Sequence, residues 1–180
     1  MPDPFITRDD LSDYLGIDVT ADDGALIALD AACDVCRDLA EQEFNESTAT
    51  VTLDGTGTDV LLLHQLPVST AGTVLVNGTA VTDYVLTDNG MLLRGSAGVD
   101  PRPVWPSGRQ NVVVTYDYGY APSDLPRDVR MVALSIASRL IVQGVAVEES
   151  VGATRIKYAG AAIDPTKGEQ LILRKYRPTR

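Results

Sequence analysis

The chain has 180 residues, 44% of them hydrophobic and 22% charged, with a net charge of −10. These are the proportions of an ordinary globular protein with enough length for a real core, and they exclude disordered, collagen-like and coiled-coil classes. No apolar run approaches the roughly 18 residues a membrane helix needs, and Met1-Pro2-Asp3-Pro4-Phe5 lacks the basic and apolar regions of a signal peptide, so an intracellular product without membrane contact is expected.

The charge is unevenly spread. Thirteen acids oppose Arg8 and Arg37 in the first fifty residues, a net −11, whereas residues 155–180 carry seven bases against Asp164 and Glu169, a net +5. Such a gradient suits contact between unlike ends of neighbouring molecules, and equally a solvated acidic surface with a basic end.

In chain order, Thr7 stands three residues before Asp10, a capping-box pattern that predicts a short helix over about 8–15 with Leu11, Tyr14 and Leu15 at helical spacing. Thr20-Ala21-Asp22-Asp23 is a second start signal. The stripe Leu26, Leu29, Ala32, Cys33, Cys36, Leu39 and Ala40 predicts a longer helix over about 21–43. Its other faces carry Asp30, Asp34, Asp38, Glu41 and Glu43. Cys33 and Cys36 share the apolar face and read as core thiols; the alternative, a redox Cys-x-x-Cys pair, would normally open a helix after a strand.

After Phe44 the pattern alternates. Thr48–Leu53 and Val60–Leu63 across Asp54-Gly55-Thr56-Gly57 read as one hairpin, and strands flanking Asn77-Gly78 as another, since both residues of that turn tolerate positive φ. Met91–Arg94 and Val112–Tyr118 complete a β-rich stretch over about 48–118. Between them, 95–108 reads as a loop with Pro101, Pro103 and Pro106 around Trp105. Pro126 opens a helix over about 126–143 with the stripe Val129, Val132, Ala133, Ile136, Ala137, Leu140 and Ile141, ending at Gly144. From Glu148 to Ala159 the chain reads as extended or loop. Asp164-Pro165 then caps a terminal helix over about 165–176, with Leu171, Ile172 and Tyr176 inward. The expected fold is α+β: a helical core from 1–45 and 120–180 with a β-rich unit, 46–119, inserted between its members.

Little in this pattern supports catalysis. His64 is the only histidine, so neither a metal site nor a histidine-based triad has its other members; no catalytic residue, metal or cofactor is expected. Asp54-Gly55-Thr56-Gly57 lacks the lysine and following helix of a phosphate-binding loop. Tyr116, Tyr118 and Tyr120 share one strand face, a stacking platform or a face packed on the long helices. Trp105 is a candidate partner contact in a surface loop, or a side chain tucked over the sheet.

Taken together, the chain resembles the head-to-tail connector (adaptor) proteins of tailed bacteriophages. The resemblance rests on the acidic helix followed by Phe44, Thr52-Leu53-Asp54-Gly55-Thr56-Gly57, Leu66-Pro67-Val68 and Asp83-Tyr84. It continues through Trp105-Pro106 with Gly108, Val114-Thr115-Tyr116 with Gly119-Tyr120, Pro126, Glu148-Glu149-Ser150-Val151-Gly152, Lys157-Tyr158, and Leu171 with Arg174-Lys175-Tyr176-Arg177. It implies a virion protein of the head-tail interface, made in the host cytoplasm, forming a ring, typically twelve-fold, beneath the portal. It also implies portal contact through Leu171, Arg174, Lys175, Tyr176 and Arg177, a surface for the next connector or tail protein, and DNA that only passes through. Asp30, Asp34, Asp38 and Glu41 are then candidates for the channel wall or a neighbouring copy, because DNA that binds its channel cannot slide freely. A basic tail that orders only on docking would leave the fold intact when removed. The competing reading is a small carbohydrate- or protein-binding module using the β-unit, Trp105 and Tyr116, Tyr118 and Tyr120.

Overall fold

The computed structural model describes residues 3–87, 89–96, 98, 101–143, 148–151, 154–157 and 164–178. Helix α1, Arg8–Leu15, begins where Thr7 and Asp10 cap one another reciprocally and ends at Gly16 in the left-handed region. Helix α2 runs Asp23–Ala40, shorter than expected at both ends. Asp22 rather than Thr20 caps it, accepting a hydrogen bond from Gly24 N at 2.8 Å. Glu41, at φ 54°, closes it in the left-handed conformation, a single-residue stop that carries no glycine signal.

Helix α3, Arg127–Gln143, starts one residue after Pro126, whose carbonyl accepts from Arg130 N at 3.0 Å. Its expected end at Gly144 lies outside the described residues. α3 packs along α2, with Val129, Val132, Ala133, Ile136 and Ala137 buried, as are Ala28, Leu29, Ala32, Cys33 and Cys36 of α2. Both thiols are free. Burial pushes Cys33 up to about 11 and Cys36 further still, so both stay protonated and serve as core groups. Helix α4, Lys167–Arg174, packs on α2 and α3. These helices form one compact unit, Met1–Glu41 with Asp124–Arg177; Gln42–Ser123 lies in a second.

The second unit is antiparallel β throughout its named strands. β1 (Ser47–Gly55), β3 (Val68–Val76), β4 (Thr79–Ala80) and β7 (Gly108–Tyr118) form a sheet in the order β1-β7-β3-β4, and β2 (Val60–Leu62), β5 (Tyr84–Leu86) and β6 (Met91–Arg94) a smaller one in the order β2-β6-β5. The turn at Asn77-Gly78 is as expected, with φ of 51° and 78° and Val76 opposite Thr79. The hairpin expected between Thr48–Leu53 and Val60–Leu63 does not form. β1 pairs instead with distant β7, in unbroken register from Ser47 opposite Tyr118 to Leu53 opposite Val112, while β2 pairs with β6. The intervening turn is where the chain leaves one sheet for the other, and Gly55 is needed there because a Cβ would lie 1.8 Å from Pro106 O.

Leu61 and Leu92 from the small sheet, with Leu63 just after β2, meet Val74, Val76, Val112, Val114 and Tyr116 from the large one in a shared core. Asp117 lies on the opposite face of β7 and accepts from Thr48 and Thr70, tying β7 to both flanking strands. Farther along, β8 (Glu148–Val151) and β9 (Thr154–Lys157) form a two-stranded antiparallel ladder, so the stretch read as extended or loop includes a hairpin; Tyr158 and Ala159 lie outside the described residues. No helix among the described residues is long and apolar enough to cross a membrane.

Candidate docking site

The basic C-terminal segment is folded against the helical unit. Its helix is capped not by Asp164-Pro165 but by Thr166, whose hydroxyl accepts from Glu169 N at 3.3 Å while Glu169 Oε2 accepts from Thr166 N at 2.7 Å. Glu169 is only 9% exposed. Arg139 of α3 grips it with both arms of its guanidinium, at 2.8 and 3.0 Å, and the Ser135 hydroxyl donates to Oε1 at 2.8 Å. Burial alone would raise the carboxyl's pKa, but the Arg139, Thr166 and Ser135 donors outweigh it and hold the group down at about 2.

This geometry sets the phase of α4. With Glu169 inward, the residue four later, Leu173, is fully buried, and Leu171, expected inward, is 63% exposed. Arg174 and Lys175, three and four residues beyond Leu171, are exposed as well. Glu169, Arg139 and Leu173, none of them expected from apolar spacing, place this helix; Thr166-x-x-Glu169 is the signal for it in the sequence. Tyr176 and Arg177 turn back onto the unit. The Tyr176 hydroxyl donates to Asp128 Oδ1 at 2.6 Å, and Arg177 Nε donates to Leu39 O at 2.8 Å with Glu41 at 3.4 Å. These contacts correct the view of a tail dispensable for the fold.

The candidate acids fall on α2 and its cap. Asp30, Asp34 and Asp38 recur every fourth residue and so share a face. Asp38 is exposed, Asp34 pairs with the largely buried Arg37 at 2.9 Å, and Glu41 is held by Arg177.

Trp105 is not a surface anchor. It is fully buried in the core of the β-unit, its Nε1 donates to Leu92 O at 3.1 Å, and the Arg94 guanidinium lies 5.1 Å over its ring. Tyr116 and Tyr118 are buried in that same core of the β-unit. The aromatic platform of the binding-module reading is therefore absent from these positions. Among the described residues no cluster of His, Cys, Asp and Glu is arranged to hold a metal ion.

The candidate site is thus an exposed apolar side chain, Leu171, with exposed Arg174 and Lys175 on a capped helix. The sequence matches the family model for head completion protein over residues 4–155, and the chain belongs to that family. It is a structural, head-to-tail connector type of protein and not an enzyme. The matched segment stops before α4.

The fold is shared with solved structures of gene transfer agent particles, among them the following. The neck of a native gene transfer agent particle, computed with C12 symmetry, superposes with a TM-score of 0.65 at 16% identity, covering 100% of this chain and 93% of that one. The neck of an empty particle, with C6 symmetry, gives 0.67 at 17%, covering 99% and 92%. The virion of the native particle gives 0.64 at 19%, covering 100% and 94%. No curated protein matches the sequence.

Proposed function

We propose that this head completion protein forms a ring at the head-tail interface of a virion, twelve-fold like the symmetry of the related neck, docked on the portal and extending its DNA channel. Family membership supports the location, and the symmetry of the related necks supports the ring. The helical parts, 1–45 and 120–180, act as the ring-forming and docking body, and 46–119 as an inserted β-module offered to neighbours or to the next tail-side protein.

The observation that carries portal docking is α4 itself. A large apolar side chain, Leu171, stands exposed one turn before the exposed cations Arg174 and Lys175, on a helix anchored by buried Glu169 and Leu173. An apolar anchor with a basic rim on a rigid support is the composition of a protein contact. Tyr176 and Arg177 contribute by holding the segment in place. Asp30, Asp34, Asp38 and Glu41 provide an acidic row facing the channel or the adjacent copy, where negative charge would repel phosphates and keep DNA sliding.

The triple variant Leu171→Asp, Arg174→Glu, Lys175→Glu tests the docking surface, since all three side chains point away from the core. The expected result is an unchanged melting curve with portal binding weakened at least about a hundredfold. Undiminished portal binding by a folded variant would move the contact elsewhere.

A further inference from the structure

The large sheet treats its two edges differently. At one end β3 is broken by register shifts, β4 covers Val76 and Leu75, Val81 N donates to Val74 O at 2.8 Å, and the Tyr84 hydroxyl donates to the carbonyls of Ala71 and Gly72 at 3.2 and 3.0 Å. Bulges, short strands and capped carbonyls are the usual defences of a sheet edge. The other edge, β1, is irregular only at its end, between Leu53 and Gly55. From Ser47 to Leu53 it runs in unbroken register with β7, has no strand on its outer side among the described residues, and contains no proline and no charge.

Its core-facing residues are also incompletely covered. Ala49, Val51 and Leu53 remain half-buried, whereas Val112, Val114 and Tyr116 of β7 are fully buried. A cleft of about 620 Å³, lined by Thr52, Leu53, Val60, Leu62 and His64, runs beside the end of this edge. An added strand would satisfy the outward amides and carbonyls of β1, and its side chains would shield the half-covered row.

The chain also carries strands that lack a sheet. Among the described residues β8 and β9 pair only with each other. An isolated two-stranded hairpin is marginal in water and gains stability from a third strand. We propose that the β8–β9 hairpin of one copy adds to the free edge of β1 in the next copy, so that adjoining subunits share a sheet. This rests on the ring reading above and supplies the two unlike, mutually complementary surfaces that a head-to-tail ring requires.

The test is amide hydrogen exchange of the full chain across a concentration series and with portal added, with oligomeric state followed by native mass spectrometry. Peptides covering 47–53 and 148–157 are expected to slow together by about tenfold or more, and only in samples containing the oligomer. Rings that form with 47–53 unchanged would overturn strand addition while leaving the ring intact. Protection of both segments in the monomer would mean pairing within one chain, and protection of 47–53 without 148–157 would mean another occupant; either overturns the proposal. The absence of any oligomer, with or without portal, would remove the ring reading together with this one.

Discussion

Arg139 and Glu169 form a two-armed ion pair, at 2.8 and 3.0 Å, that fixes the short terminal helix onto the rest of the helical unit. Glu169 is at once the reciprocal partner in its own helix cap and the partner of a cation on α3, so one side chain sets both where α4 starts and which face it presents. Replacing Arg139 by Met leaves a largely buried carboxylate without its cation. The expected outcome is a loss of about 3 kcal/mol from the helical unit, read by denaturant unfolding, with the far-ultraviolet signal of the β-unit retained.

The same pair predicts acid sensitivity. Glu169 is held at about 2 in the fold, below its ordinary 4.5, so the stabilisation is fully present above about pH 4.5 and is lost as pH falls through about 2. Between those limits about 3 kcal/mol is at stake. Unfolding midpoints measured from pH 6 down to about 2 are expected to fall more steeply for the wild type than for Glu169→Gln, which starts less stable but has lost this titration.

Truncation after Asp164 removes Leu173 from a fully buried position together with the Tyr176–Asp128 and Arg177–Leu39 contacts. A loss of at least about 3 kcal/mol is expected from the buried leucine alone, visible as a lowered thermal midpoint. A truncated chain as stable as the full one would contradict the clamped placement of α4.

In the β-unit, Trp105→Ala opens a cavity at the centre of the shared core and removes the bond to Leu92. The expected cost is about 3–5 kcal/mol in chemical denaturation. Trp105→Phe is expected to retain part of this, losing the hydrogen bond from the indole to Leu92 O.

Gly55→Ala puts a methyl group where the Pro106 carbonyl already lies, 1.8 Å from the new Cβ. A loss of about 2 kcal/mol or more is expected by the same assay, since main chain has to move.

How far such features were legible in the sequence depended on whether their cause is local. Thr7 with Asp10, and Asn77 with Gly78, act within four residues, and both the helix start and the turn are where those residues place them. The partner of β1 is not a local property: Thr48–Leu53 alternates equally well for β2 or for β7, and only the shared core selects the distant strand. The end of α2 at Glu41 depends on a left-handed residue with no glycine signal. On α4, apolar spacing alone favoured Leu171 as inward, yet a charged residue, Glu169, decides the phase by burying beside Arg139. Trp105 stayed open between a surface contact and a side chain tucked over the sheet, because a proline-rich loop allows both; the core takes it. The acidic front and basic end were plain in the composition; that Arg177 reaches Glu41 and Leu39 was not.

The central claim, a connector subunit that closes into a ring on the portal, is tested most directly by native mass spectrometry of the chain mixed with purified portal rings. The account predicts a single complex in which one complete ring of copies, twelve on the present reading, is added to each portal. A chain that stays monomeric beside intact portal, at concentrations well above those of assembly, would contradict it.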